Sequence, residues 1–291
     1  MGPNVVEGRL RANLRRWNMH ERSAEKPGRR LRLACVAWLG IGCAAAEGIT
    51  LTKDGASTYT IVTPADPTAQ ERFAAAELQK YLGTISGARL AVAAEGDAAG
   101  PRIAVAVAPR GKLAGKIRFE KGDADFDAFA IETDGENLLL VGSNKRAVVY
   151  AVYTLLEKHL GCRWLGFGER VRPGNDFIEE FVPKKPTIEL PALRERHKAS
   201  LKVRGFIAGA WFGNTPAQMV DWAMKQKLNY FLFQAAGYEE ATEWNEAIVK
   251  REILPRGFIL SVGHHSFYTF LSPDKYFKEH PEWFPLIGGK R

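Results

Sequence analysis

The sequence predicts an α/β protein, a small α/β sandwich domain followed by the first part of a truncated (β/α)8 TIM barrel. Three observations predict it. Up to about residue 160 the apolar residues switch between period 2 and period 3.6, marking short strands interspersed with two long amphipathic helices. From Leu201 onward strands and helices alternate one for one, the rhythm of a parallel sheet built by right-handed crossovers. Between them, Val182–Ser200 is rich in proline and charge and reads as a connector.

The first region opens with two alternating stretches, Ile49–Thr52 and Ser57–Val62, read as strands. Asp66-Pro67 opens a helix through Ser86, with Leu78, Tyr81, Leu82 and Ile85 on one face and Gly87 as its stop. Arg89–Ala93 and Arg102–Ala108 are further strands, and Asp134-Gly135 is a hairpin turn between Ala128–Thr133 and Asn137–Val141. A second helix runs from about Asn144 to Leu160, its buried stripe being Val148, Val152, Leu155, Leu156 and His159.

In the second region Val203–Ala208, Asn229–Gln234 and Phe258–Val262 are the expected strands. Thr215-Pro216-Ala217-Gln218 is a capping box with proline at the first helical position. Eight β/α units close a barrel of about 250 residues, and only three are legible before Arg291, so the barrel reads as truncated. The expected domain organisation is a signal peptide at 1–46, a small α/β domain at 47–182, a linker at 183–200 and a partial barrel at 201–291.

Charge narrows the function classes once it is located. The 291 residues carry a net charge of +8, but residues 1–46 hold nine basic and three acidic residues, leaving 32 basic and 30 acidic in the remainder. A nucleic-acid binder keeps its basic surface in the folded part, so no nucleic-acid partner is expected. The basic run Arg29–Arg32 followed by the short apolar run 33–46 and Ala44-x-Ala46 fits a cleavable export signal cut before Glu47. Either Met1 or Met19 serves as the start, and anchoring through Cys43 is the alternative reading. The apolar run is too short for a membrane span. The expected location is periplasmic or extracellular. Only Cys162 remains beyond the signal, so neither an internal disulfide nor a cysteine zinc cluster is expected.

In a barrel the site forms at the carboxyl ends of the strands, where the βα-loops gather. That places Trp211 and Asn214 after the first strand, Gln234 and Tyr238 after the second, and His264, His265 and Tyr268 after the third. Aromatic faces beside hydrogen-bonding groups suit a sugar, with its apolar C–H faces and rim of hydroxyls. Trp211 is the stacking candidate, against the alternative of a core tryptophan, and His264 the candidate for hydrogen bonding or proton handling. Arg204, in a buried strand, needs a partner for its charge: a substrate group or an acidic barrel residue expected beyond Arg291. Glu239 and Glu240 fit the start of the following helix. His264, His265 and His280 lack the spacing of a zinc site, so no metal or other cofactor is expected.

Several stretches together carry a resemblance. Leu138–Glu169, LLLVGSNKRAVVYAVYTLLEKHLGCRWLGFGE, resembles the end of the small domain that precedes the barrel in family 20 β-hexosaminidases and in α-glucuronidases. Gly263–Arg291 resembles exported proteins of the domain of unknown function 4838 group, which pair such a domain with a hexosaminidase-like barrel. The resemblance implies a glycoside hydrolase-like protein acting on glycosidic bonds of a polysaccharide or glycan, with a non-catalytic carbohydrate-binding protein as the alternative. It implies that Arg204, in Val203-Arg204-Gly205, binds a sugar hydroxyl, that Lys227-Leu228-Asn229 precedes the second strand, and that His264 lies near the sugar. The acid pair of such barrels follows the fourth strand, so catalytic carboxylates are expected beyond Arg291 and the fragment alone is expected to be inactive. The sequence departs from the hexosaminidase pattern at Ser261 and Val262, and at Phe233-Gln234-Ala235, which leaves the sugar unassigned.

Overall fold

The apolar runs Arg102–Val107 and Asn137–Gly142 lie at the centre of a six-stranded mixed sheet because both of their faces are covered. The computed structural model describes residues 48–166, 180–208, 216–234, 249–263, 271–286 and 288–289. All of them belong to one unit, Ala45–Arg291.

In chain order the strands are β1 (Ile49–Thr52), β2 (Thr60–Thr63), β3 (Ala91–Ala94), β4 (Arg102–Val107), β5 (Phe129–Asp134), β6 (Asn137–Gly142), β7 (Arg163–Trp164), β8 (Glu180–Phe181), β9 (Ile188–Leu190) and β10 (Arg194–His197). The large sheet has the order β10-β5-β6-β4-β2-β3. Its β3, β2, β4 and β6 run parallel, and β5 and β10 are added antiparallel at one side. The Asp134-Gly135 turn joins β5 to β6 with Asp134 opposite Asn137, as the dipeptide predicts.

One face of this sheet is covered by α1 (Ala69–Ser86) and α2 (Ala147–Thr154), the latter continuing as a π-helical turn, Leu155–His159. Helix α1 starts two residues later than Asp66-Pro67 suggests. The Thr68 hydroxyl accepts from the Glu71 N–H while Glu71 accepts from the Thr68 N–H, and Gly87 closes the other end at φ 82°. Glu71 also accepts from the Val107 N–H at 2.8 Å and pairs with Arg110 at 3.0 Å, which ties the start of the helix to the carboxyl end of β4. The opposite face, Val62, Ala104, Ala106, Ala130, Leu139 and Val141, is covered by Leu113, Ala114 and Ile117 from the β4–β5 connection. At Gly142 an added Cβ would lie 2.3 Å from the Val148 amide nitrogen, so only glycine lets α2 approach β6 this closely.

The stretch expected to be a linker is stitched into the first region. Strand β9 pairs antiparallel with β1, and β10 pairs with β5 along Arg194–His197. Four consecutive charged or polar residues form an edge strand, where such residues discourage pairing with other chains.

The second region supplies β11 (Gly205–Ala208), β12 (Tyr230–Gln234) and β13 (Ile259–Gly263), parallel and in consecutive order. Helix α3 (Pro216–Lys225) joins the first two, and α4 (Leu254–Arg256), preceded by the π-helical turn Val249–Ile253, leads into the third. A short α5 (Pro273–Tyr276) follows. Met219, Val220, Ala223, Met224, Phe231, Ile253 and Phe258 share one apolar core with α1 and α2, so no gap of solvent separates the two regions.

Candidate functional site

Three strand ends define the candidate site. Ala208 pairs with Phe233, and Gln234 with Gly263, so β11, β12 and β13 deliver the chain to the same side of their sheet within one residue of each other. Trp211, Asn214, Tyr238, Glu239, Glu240, His264, His265 and Tyr268 follow these ends and lie outside the described residues. Of the residues expected at this rim, the structure places the backbone of Gln234, as the last residue of β12.

Arg204 is placed differently. It precedes Gly205, the first residue of β11, at the level of Asn229 just before β12. Five residues at about 3.3 Å each separate that level from Gln234, roughly 16 Å along the sheet. Arg204 therefore stands at the amino end of the parallel strands, while Trp211 and His264, expected to share a mouth with it, lie outside the described residues. At Gly205 an added Cβ would lie 2.1 Å from the Tyr230 carbonyl oxygen, so only glycine allows this close approach of β11 to β12.

The partner that Arg204 needs is Asp127, at 2.6 Å. Asp127 is fully buried, at φ 51°, a left-handed conformation that aspartate tolerates better than most residues. Its Oδ1 accepts from Asn144 Nδ2 at 2.7 Å and from Arg146 Nη2 at 2.9 Å and Nε at 3.2 Å. Its Oδ2 accepts from Arg204 Nη2 at 2.6 Å and Asn229 Nδ2 at 2.9 Å. Burial pushes this carboxyl's pKa up, but hydrogen bonds from Arg146, Asn144 and Arg204 outweigh burial and hold it below the usual range. One carboxylate thus joins the turn before β5, the start of α2 and the starts of both β11 and β12.

Further bonds cross the same seam. Tyr150 donates to the Leu228 carbonyl at 2.8 Å, Arg146 to the Gly257 carbonyl at 2.7 Å, and Gln70 to the Leu254 carbonyl at 2.6 Å. At its other end Trp164 Nε1 and the Tyr81 hydroxyl both donate to Glu180 Oε1, the former at 2.6 Å, and Lys225 approaches it at 3.4 Å. Lys225 and Arg256 in turn hold Asp221 at 2.6 and 2.8 Å. Burial raises the Asp221 pKa and these two cations more than reverse it, leaving the carboxyl depressed. Every titratable group in this second cluster is occupied by another protein group, the mark of a structural joint. Among the described residues no three histidine, cysteine, aspartate or glutamate side chains come together as a metal-binding group.

A family profile, described as domain of unknown function 4838, matches residues 177–291. No curated protein matches the chain. Among solved structures, BtGH115A, a family GH115 4-O-methyl-α-glucuronidase with specificity for decorated arabinogalactans, superposes with a TM-score of 0.50 at 13% identity over 74% of this chain and 30% of that one. A GH138 enzyme targeting pectin rhamnogalacturonan II gives a TM-score of 0.43 at 13% identity, over 70% of this chain and 24% of that one. CpGH84D gives 0.43 at 12% identity, over 73% of this chain and 35% of that one. The chain spans about a third or less of these structures, and its likeness to BtGH115A is one of fold. Mixed α/β architecture around a central mixed sheet, similar in fold to part of BtGH115A, is what the comparison establishes.

Proposed function

We propose that this chain carries the opening strands of a (β/α)8 barrel that acts on glycosidic bonds of a polysaccharide or glycan. The observation that carries the reading is the consecutive parallel order β11-β12-β13 with level carboxyl ends at Ala208, Gln234 and Gly263. In barrels that face holds the substrate, and here the chain leaves it toward Trp211, Gln234 and His264. Trp211 would stack on the sugar's apolar face, and Gln234 and His264 would bind its hydroxyls. The profile match over 177–291 and the fold likeness to a glucuronidase support a carbohydrate ligand. Arg204, held by Asp127, contributes to the joint beneath the strands rather than to this rim. Hydrolysis needs two carboxyl groups across the scissile bond, and we assign neither to this chain. We also propose export, with the mature protein beginning at Glu47, which amino-terminal sequencing of the secreted product would show.

The test is an assay of the complete reading frame against aryl glycosides, with binding to the same sugars measured in parallel. The reading predicts aglycone release that falls at least about a hundredfold in His264→Ala and weakened binding in Trp211→Ala. Binding without release would assign the non-catalytic alternative. Silence in both measurements across hexosaminides, glucuronides and plant polysaccharide fragments would refute a carbohydrate ligand.

A further inference from the structure

A cavity lies at the amino end of the parallel strands, the end opposite Ala208, Gln234 and Gly263. It measures about 210 Å³ and is walled by Phe129, Tyr150, His197, Lys198, Arg204 and Lys227, with Asp127 behind Arg204. That volume holds roughly seven water molecules, or one six-carbon acid.

The hydrogen-bonding character of the wall is one-sided. Among the described residues Asp127 is the only carboxylate of the wall, and both oxygens are taken by five donors, so it has no acceptor capacity left. The Tyr150 hydroxyl is spent on the Leu228 carbonyl. Lys198 gives one N–H to Asp123 at 2.9 Å and Lys227 gives one to Glu157 at 2.7 Å. An ammonium has three N–H groups, so both retain donors. His197 is stacked on Phe129 with centroids 4.8 Å apart, and one ring nitrogen meets Glu195 at 2.9 Å. Asp127, Asp123, Glu157 and Glu195 match the fixed cations Arg204, Arg146, Lys198 and Lys227 in number, so what the wall offers a ligand is its unspent N–H groups. In the wall itself Thr154, 6% exposed, has a hydroxyl oxygen without a hydrogen-bond partner.

Lys227 adds an independent observation. It sits at φ 62°, at the left-handed position of a helix-ending motif. The motif is closed by Leu228 N–H to the Ala223 carbonyl and Lys227 N–H to the Met224 carbonyl, both at 2.9 Å. Glycine is the favoured residue there, and a bulkier one costs about 1 kcal/mol. The ion pair with half-exposed Glu157 contributes no more than that. A lysine at this position is thus accounted for by what its side chain brings to the cavity.

We infer that this cavity is a binding site for a small oxyanion, with room for a carboxylate-bearing molecule of about six carbons. Unspent N–H groups in excess of free acceptors select a ligand of acceptors, and the charge-assisted donors of Arg204, Lys198 and Lys227 favour a charged acceptor over a neutral polyol of the same size. The inference is independent of the carbohydrate reading, because the site is at the opposite end of the strands from the proposed substrate face.

The experiment is calorimetric titration of the full chain, at fixed ionic strength, with sodium gluconate, inorganic phosphate and glucose. Gluconate and glucose match in size and differ in charge. The inference predicts that gluconate binds, that added salt weakens it, and that glucose gives no heat. Lys227→Gly and Lys198→Gln should each weaken gluconate about threefold to tenfold. Lys227→Gly should do so without lowering the melting temperature of the unliganded chain, since glycine suits the backbone there. Phosphate binding in place of gluconate, with the same sensitivity to both variants, would keep the oxyanion site and identify its occupant as the free inorganic ion. Equal binding of glucose, affinities unchanged in both variants, or no binding of either anion would overturn it.

Discussion

Asp127 and Arg204, 77 residues apart in sequence, meet at 2.6 Å in the buried seam between the large mixed sheet and the parallel strands. Arg146 shares the other oxygen, so the carboxylate is the common anchor of α2 and of the starts of β11 and β12. Breaking such a buried group of charges costs more than forming it gains, because the remaining charges stay desolvated. Asp127→Asn keeps the shape and tolerates the left-handed backbone, but leaves two guanidinium groups facing an uncharged amide. We expect a loss of about 3–5 kcal/mol, read as a lower midpoint in urea unfolding. An unchanged midpoint would show that the Asp127 carboxylate adds nothing to the joint.

Acid should weaken the same joint. Asp127 and Asp221 have folded pKa values below their ordinary 3.8, and Glu195 falls from 4.5 to about 2, where bonds from Lys158 and His197 overcome burial. A carboxylate depressed in the folded state gives stability that is complete above its unfolded pKa and is lost as pH falls through the folded one. Stability is therefore expected to be level above about pH 5 and to decline from about pH 4.5 toward pH 2. Asp127→Asn should flatten part of that decline. Unfolding midpoints measured across this range check both statements.

Gly205 should resist substitution. A Cβ there meets the Tyr230 carbonyl at 2.1 Å, within the β11–β12 ladder. Gly205→Ala is expected to cost about 3 kcal/mol or to shift the register of β11. Loss of amide-exchange protection confined to β11 and β12 would report it, and wild-type protection would contradict the close approach.

The amino-terminal cap of helix α1 offers a control outside the Asp127 cluster. Thr68→Ala removes the acceptor for the Glu71 N–H and should cost about 1 kcal/mol, without altering ligand binding at either end of the parallel strands.

Much of this fold was legible because its signals are local. The spacing of Leu78, Tyr81, Leu82 and Ile85, the Asp134-Gly135 turn and the strand–helix rhythm after Leu201 each act within a few residues, and the elements stand within two or three residues of where those signals put them. Residues 183–200 also hold β9 and β10, because prolines and charges mark edge strands as readily as they mark a linker. Ile188-Glu189-Leu190 does alternate, and its burial follows that alternation. The position of Arg204 was not legible. The need for a counter-charge follows from its sequence context, but nothing local to Val203-Arg204-Gly205 points to Asp127, which a turn before β5 brings in from the other region. Lys227 carried a weak signal, a lysine where a helix-ending glycine is the usual choice, visible only once the end of α3 is known.

The central claim is that a sugar binds at the carboxyl ends of β11, β12 and β13. A crystal structure of the complete polypeptide with a bound monosaccharide tests it most directly. The account predicts the ring stacked on Trp211 with His264 within hydrogen-bonding distance of a hydroxyl. A sugar bound elsewhere on the molecule, with Trp211 and His264 turned away from one another, would contradict it.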